Sequence, residues 1–454
     1  MMKRTTLAVL AFAATIAAPV ALHAQSLSQA LSDAYNNSGL LEQNRALLRA
    51  ADEDVAQAVA ATLPVLSWSI TADRTGVEVP VRTGTNNALA RITANIPIYS
   101  GGTNQLAIEA QKETVLGTRQ SLRAVEQDVL LRAVQAYANL VRDTEFVRLR
   151  QNNVRVITQE FRAAQDRFEV GEVTRTDVAT AEARLANARS LLASAQGNLA
   201  ISAEEFRVAT GEAPTGVRGV SPAPVTRSLT DSQAFAVRNH PSILQAQHTV
   251  SAAELNIRRA EASLRPSVSG NAFIATDQDS NESAQIGVTI SGPIYSGGLI
   301  SSQIRQARSN RDSARSGLHL TVLGIEQQVA NAYATLLVSR ASREASDQQI
   351  SAARVAFEGV REEATLGSRT TLDVLNAEQE LLDAEANRIA AVSDEVVASY
   401  SLLSAMGLLT ADHLNLPVQQ YDPTEYYNLV KGTATFDSER GQALDRILDA
   451  IGQE

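Results

Sequence analysis

Pro97-Ile98-Tyr99-Ser100-Gly101-Gly102 recurs unchanged as Pro293-Ile294-Tyr295-Ser296-Gly297-Gly298, 196 residues further along the chain. Upstream the offset is 202, as between Pro64 and Pro266, so the first copy carries six additional residues between Pro64 and Pro97. The chain is therefore one structural unit written twice, and this duplication has to be recognised before the fold is read. Downstream the offset of 196 also relates five pairs of identical residues: Tyr137 and Tyr333, Gly171 and Gly367, Thr174 and Thr370, Asp177 and Asp373, Glu182 and Glu378.

The first 24 residues have the pattern of a targeting segment. Lys3 and Arg4 precede an almost wholly apolar stretch, residues 7–22, and Ala24 suits a signal-peptidase site. The alternative is a membrane-spanning anchor, against which the shortness of the apolar stretch argues. Beyond Gln25 the chain has no run of 18 apolar residues, which excludes a helical inner-membrane protein.

The composition of the chain also argues against several classes of protein function. Without Lys3 and Arg4 the formal net charge falls from −10 to −12, which argues against nucleic acid as a partner. The chain has no cysteine, so it cannot rely on disulfides or carry a cysteine-linked lipid. Its five histidines are scattered without metal-ligand spacing, and it has neither a phosphate-binding loop nor a nucleophile elbow. We therefore expect no metal, no cofactor and no enzymatic activity.

Residues 101–170 and 297–366 are predicted to form very long helices. Both ranges lack proline and are rich in good helix formers, and each would span roughly 100 Å. Apolar residues spaced by sevens after Gly171 and Gly367 indicate coiled-coil packing, with an ordinary large helical bundle as the alternative. Gly171 and Gly367 each precede a threonine that suits a helix start, which predicts a turn at the tip of a helical hairpin.

Alternating apolar and polar residues predict a β-hairpin in each copy, at about 65–98 and about 267–294. Strands of roughly 9–11 residues with one apolar face are typical of membrane β-barrels. The polar connections 73–88 and 276–285 would then be outer loops. A soluble sheet with one solvated face shows the same alternation and remains the alternative.

These patterns divide the chain into repeats. After the targeting segment 1–24, the first repeat is 25–210, the linker 211–228, the second repeat 229–410, and the tail 411–454 packs partly against the middle of the helical body or is disordered. Each chain offers four strands, while open strand edges are not tolerated in lipid. Two, three or four chains would close eight, twelve or sixteen strands, and the arithmetic does not choose among them.

The segment from Gly367 to Leu375, Gly-Ser-Arg-Thr-Thr-Leu-Asp-Val-Leu, resembles the signature of the TolC-type outer-membrane channel proteins. The resemblance implies an α+β membrane protein, an internally duplicated protomer of a homotrimer. Its 12-stranded β-barrel in outer-membrane lipid would continue as a 12-helix periplasmic α-barrel. The implied partners are a periplasmic adaptor and an inner-membrane transporter of the ABC or RND type, and the implied cargo is secreted proteins or drugs.

The resemblance also implies residues for a gate at the inner end of the helical barrel. Asp373 matches a carboxylate that projects into the lumen, where symmetric copies would form an acidic ring that favours cations. Asn376 stands where the family often has a second acidic residue. Arg369 matches an arginine that holds the gate shut, with Asp177 as a candidate partner. The alternatives are a helix N-terminal carboxylate for Asp373 and an exposed ion pair of little energetic worth for Arg369.

The hairpin tips match the positions at which the family meets its adaptor. The residues concerned are Val170 and Gly171 in the first copy and Leu366 and Gly367 in the second, although glycine is needed for the turn in any case. The alternative of a different class is a soluble periplasmic coiled-coil adaptor. Adaptors usually carry one helical hairpin, whereas this chain has two.

Overall fold

The computed structural model describes residues 25–77, 83–432, 439, 441–444 and 446, and within 75–77 and 83–86 it describes the backbone alone. The predicted targeting segment 1–24, part of the first predicted outer loop and the last residues of the predicted tail lie outside the described residues.

The two copies contain the same six elements in the same order. The first copy consists of α1 (Leu27–Asn37), α2 (Gly39–Ala60), β1 (Val65–Val77), β2 (Thr83–Tyr99), α3 (Thr103–Glu169) and α4 (Arg175–Thr210). The second consists of α5 (Leu229–Asn239), α6 (Pro241–Ala262), β3 (Ser267–Asp277), β4 (Glu282–Ser291), α7 (Leu299–Thr365) and α8 (Thr371–Ala405), and α9 (Glu425–Val430) follows. Corresponding helices have equal lengths of 11, 22 and 67 residues, apart from α4 and α8 with 36 and 35.

The longest helices, α3 and α7, start where the duplicated hexapeptides end. Both glycines of each pair have positive φ, 67° and 92° at Gly101 and Gly102 and 59° and 85° at Gly297 and Gly298. Two successive residues in this region redirect the chain sharply, and glycine adopts it without the steric cost of a Cβ atom. With 67 residues at 1.5 Å each, each helix is about 100 Å long.

The four strands form one antiparallel sheet in the order β1-β2-β3-β4, so the pairing of β2 with β3 joins the two copies. The register aligns Trp68 with Ile92 and Ile92 with Ile274, and all three side chains are exposed. Ile286, Val288 and Ile290 continue this exposed apolar face on β4. Polar residues such as Thr93 and Asn271 occupy the opposite face. One face of the sheet is thus apolar without being covered by any other part of the described chain.

The identical hexapeptides have different environments. Pro97 and Tyr99 extend β2 and pair with β3 through a β-bulge. β4 ends at Ser291, short of the predicted limit near 294, and Tyr295 is 89% exposed against 48% for Tyr99. The reason is position, because β2 is an interior strand with two neighbours whereas β4 is a sheet edge.

The main core lies at mid-height of the helical body. Tyr137 and Phe206 are fully buried there, together with Leu130 and Leu402. The Tyr137 hydroxyl donates to the Gln25 carbonyl oxygen at 2.8 Å, which ties α3 to the start of the described chain. Among the described residues, no helix is both long enough and apolar enough to cross a membrane.

The tail packs against α2. Tyr426 on α9 is buried, and its hydroxyl donates to Glu53 Oε1 at 2.7 Å. The Arg119 guanidinium lies over the Tyr427 ring at 5.4 Å. Aromatic side chains therefore attach the first part of the tail to the middle of the helical body.

Candidate functional site

The tips of the two helical hairpins have the same backbone geometry. At the end of α3, the Gly171 N–H donates to the Phe168 carbonyl at 3.0 Å and the Glu172 N–H to the Arg167 carbonyl at 2.9 Å. The Gly367 and Ser368 N–H groups repeat both bonds at the end of α7. This is the Schellman arrangement, and it requires the positive φ values of 81° at Gly171 and 80° at Gly367.

Each tip presents an apolar side chain to solvent. Val170 is 71% exposed and Leu366 is 84% exposed, and each directly precedes the tip glycine. Among the described residues, no heavy atom lies within 4 Å of the position that a Cβ atom on Gly171 or Gly367 would take. The four tip residues named from the sequence therefore form two matching, open surfaces.

Asp177 and Asp373 both close capping boxes at the helix starts that follow the tips. The Thr370 N–H donates to Asp373 Oδ2 at 2.9 Å, and the Asp373 N–H donates back to Thr370 Oγ1 at 3.2 Å. Asp177 and Thr174 form the same pair of bonds. The pKa of Asp373 is lowered mainly by the hydrogen bond that its carboxylate accepts from the Thr370 backbone N–H. The hydrogen bond from the Thr370 hydroxyl lowers it further. Both carboxylates are therefore ionised groups in the first turn of their helices, with Thr174 and Thr370 as the N-caps, and a helix N-terminal carboxylate is the alternative role considered for Asp373.

Arg369 binds within its own hairpin. Its Nε donates to Glu363 Oε2 at 2.8 Å, whereas the Asp177 carboxylate is engaged by Thr174. Within one chain the structure therefore does not bring Arg369 and Asp177 together, and a bond between them stays a prediction about neighbouring chains.

The second hairpin packs against the first just beyond the tips. Leu375 of α8 is buried in a cluster with Ile157 of α3 and Leu185 of α4. Beside it, Arg184 of α4 donates to Asn376 Oδ1 at 3.2 Å. Asn376 thus connects the two hairpins.

A buried carboxyl group reinforces this contact one turn further along α8. Glu378 is 6% exposed and its Oε1 accepts from Asn153 Nδ2 of α3 at 2.9 Å. Glu378 Oε2 is buried and has no partner among the described residues. Burial raises the pKa of Glu378 to about 7, and nearby Glu160 adds to the rise. This carboxyl group therefore changes charge near neutral pH at the contact between the hairpins.

Arg184, Asn153 and Glu378 also belong to this site, although no local sequence pattern marks them as parts of it. The duplication relates Glu378 to the identical residue Glu182, but Glu182 is exposed whereas Glu378 is buried. Identical residues in the two copies have different environments here because α8 packs against the first hairpin. That asymmetry is a property of the tertiary structure and cannot be read from the repeat itself.

Comparison with known proteins agrees with this architecture. The sequence model of the family described as outer membrane efflux protein matches residues 30–212 and 235–408. The outer membrane efflux protein BepC of Brucella suis is 35% identical over 442 residues, covering 94% of this chain and 95% of its own. The outer membrane protein TolC of Escherichia coli is 25% identical over 315 residues, covering 64% and 63%. A crystal structure of CusC superposes with a TM-score of 0.74 at 19% identity, covering 84% of this chain and 91% of its own.

These matches extend over both repeats. They confirm the resemblance inferred from residues 367–375 and the fold class of a duplicated protomer with a strand barrel continued by a helical barrel. The location is accordingly the outer membrane, with a tunnel into the periplasm, and the alternative of a soluble adaptor is wrong. The family consists of channels and not of enzymes. The chain belongs to the outer membrane efflux protein family.

Proposed function

We propose that three copies of this chain form one export channel, with twelve strands across the outer membrane and twelve long helices through the periplasm. The observation that carries the proposal is the sheet, which has an uncovered apolar face and two open edges, β1 and β4. Open edges are not tolerated in lipid, so each β4 needs the β1 of another copy.

The different environments of the two identical hexapeptides support this closure. Pro97 and Tyr99 pair with β3 of the same chain, while Tyr295 is exposed beyond the end of β4. The same residues that form strand in one copy have no strand partner in the other within the part of the chain that the structure describes. A neighbouring β1 would supply that partner, and three protomers give an even number of strands within the range of bacterial barrels.

We propose that the hairpin tips form a gate at the inner end. In this proposal Arg369 binds a neighbouring chain, with Asp177 as its partner, and three Asp373 carboxylates face the lumen as an acidic ring. The exposed position of Arg369 beside the tip supports a role between chains. Asn376 binds Arg184, so it adds no second acidic ring and instead holds the hairpins together.

The tips are also the proposed docking surface for a periplasmic adaptor, and through it for an inner-membrane transporter of the ABC or RND type. Val170 and Leu366 supply exposed apolar contacts beside rigid glycine turns in both copies. BepC, which aligns over nearly the whole chain, is named an efflux protein. Small toxic compounds are therefore the first cargo to test, with secreted proteins as the second.

The test is channel formation by the purified full-length protein in planar bilayers. We expect stable single-channel currents and an oligomer that survives electrophoresis without boiling. Arg369→Ser should raise the single-channel conductance, because loss of a latch biases a two-state gate towards its open form. Arg354→Ser is the matched control, since Arg354 forms an ion pair with Glu385, with an N–O distance of 3.1 Å, at a position remote from the tip. Absence of any current would overturn the channel, and equal conductance of all three proteins would overturn only the latch.

A further inference from the structure

Arg91 lies at the centre of the sheet, on the face opposite to lipid. It is the middle residue of β2 and aligns with Ser69 on β1 and Ala275 on β3. The adjacent row, on the other face, contains the exposed Trp68, Ile92 and Ile274. Because side chains alternate between faces, Arg91 belongs to the polar face, which becomes the lumen wall when the barrel closes.

The other charged side chains described on the four strands lie near the outer loops. They are Asp73, Arg74, Asp277 and Glu282. Asp277 is the nearest to Arg91, two residues beyond Ala275. Its carboxylate accepts hydrogen bonds from the Asp279 and Asn281 backbones and from Asn281 Nδ2, at 2.8 to 2.9 Å. The nearest acidic group among those described on the strands is therefore engaged in its own turn.

Arg91 extends in the opposite direction, towards Phe273. The guanidinium carbon lies 4.2 Å from the centroid of the Phe273 ring, within the range of a cation–π contact. Arg91 Nε is buried and has no hydrogen-bond partner among the described residues. The ring holds the guanidinium in place and, unlike a carboxylate, does not neutralise its charge.

Phe273 is itself unusual at this position. It pairs with Thr93 and Gln285, so it lies on the polar face of the sheet and not on the lipid face. A phenylalanine on a water-filled lumen wall gains nothing from lipid. Its ring instead contacts the Arg91 guanidinium.

We propose that Arg91, held by Phe273, forms a ring of positive charge inside the strand barrel that favours anionic groups on permeant ions and on cargo. The ring rests on the proposed closed trimer, in which symmetry places three Arg91 side chains at one height. Rings of arginine or lysine favour anions in pores. The proposed channel would then have an acidic ring at its inner end and a basic ring in its outer barrel.

The test is the reversal potential in planar bilayers under a gradient of potassium chloride. Arg91→Gln removes the charge, and we expect the ratio of chloride to potassium permeability to fall about twofold or more. Phe273→Leu frees the guanidinium and should lower the ratio by less. Arg74→Gln is the matched control, because Arg74 lies on the lipid face of the sheet and should leave the ratio unchanged.

A second variant keeps the proposal testable if Arg91→Gln does not assemble. In Arg91→Cys, position 91 carries the sole thiol, since the chain has no cysteine. A cationic methanethiosulfonate reagent should restore anion preference, and an anionic reagent should reverse it. Currents whose selectivity does not respond to either reagent or to Arg91→Gln would overturn the ring and leave the channel intact, whereas absence of currents from the unmodified protein would overturn the channel itself.

Discussion

Glu378 is a buried carboxyl group whose protonation affects the contact between the hairpins. Its pKa rises to about 7 in the folded protein, mainly through burial, so between about pH 4.5 and pH 7 the folded chain holds a proton that the unfolded chain releases. Stability therefore falls as the pH rises through this window and stays lower above it. The full effect corresponds to on the order of 3 kcal/mol per chain.

Glu378→Gln should remove this dependence. Glutamine can accept the same hydrogen bond from Asn153 and never ionises, so the variant should be more stable than the unmodified protein at pH 8 and nearly equal to it at pH 4.5. The measurement is thermal denaturation of the detergent-solubilised protein at both pH values. Glu182→Gln is the control, because the same residue in the first copy is exposed. The prediction fails if both variants change stability equally at pH 8.

At the scale of elements, the long helices were the most predictable part. The sequence predicts helices within 101–170 and 297–366, and the structure has them at Thr103–Glu169 and Leu299–Thr365. The reason is local chemistry, because a glycine pair precedes each helix and a single glycine follows it. Strand ends were less predictable, since the end of β4 at Ser291 depends on whether a neighbouring strand is present.

In the candidate site, too, features set by local backbone chemistry were predictable from the sequence, and contacts between distant segments were not. Gly171 and Gly367 lie at turns because they obey a rule of backbone conformation that a single sequence reveals. The link between Arg184 and Asn376 joins residues 192 positions apart and depends on how two hairpins pack. No local pattern contains that information.

The capping boxes allow the two roles of Asp373 to be separated. Thr370 is the N-cap and Asp373 the third residue of the helix, where an asparagine amide oxygen can accept the same hydrogen bond from the Thr370 N–H. Asp373→Asn should therefore remove the charge at a cost of about 1 kcal/mol or less. If three Asp373 side chains face the lumen, this variant should lower the ratio of potassium to chloride permeability in planar bilayers. Thr370→Val breaks the cap and keeps the charge, so it should lower stability by about 1 kcal/mol and leave selectivity unchanged.

Glu182→Gln is the control on the first hairpin, because Glu182 is an exposed carboxylate on α4 beyond the capping box of Asp177 and has no part in the proposed gate. We expect it to leave selectivity unchanged. A permeability ratio that is unaltered in Asp373→Asn would assign Asp373 to helix capping alone, and equal shifts in Asp373→Asn and Glu182→Gln would assign the effect to the negative charge of the hairpins in general.

At the scale of the whole molecule, a single chain is an incomplete membrane protein. The sheet exposes Trp68, Ile92 and Ile274 on one face, and no other described segment of the chain pairs with the outer edge of β1 or β4. Exposure of the apolar face to water is unfavourable, and exposure of the unpaired backbone groups of the strand edges to lipid is unfavourable as well. Assembly around a symmetry axis resolves both, because closure pairs the edges and directs the apolar face towards lipid.

Cysteine cross-linking across the edge strands should count the subunits directly, because the natural chain contributes no thiol. Ser69→Cys on β1 is combined in turn with a cysteine at Gln285, Gly287 or Thr289 on β4, which share the polar face. If β4 of one copy pairs with β1 of the next, at least one combination should bring the thiols within disulfide distance. Oxidation followed by denaturing, non-reducing electrophoresis should then give covalent species of up to three chains. The control is Thr93→Cys with Phe273→Cys, which lie opposite each other within one chain and should leave the mass unchanged. A series that stops at two chains or extends to four would replace the trimer by another closed barrel, and failure of every combination would show that the edges do not meet.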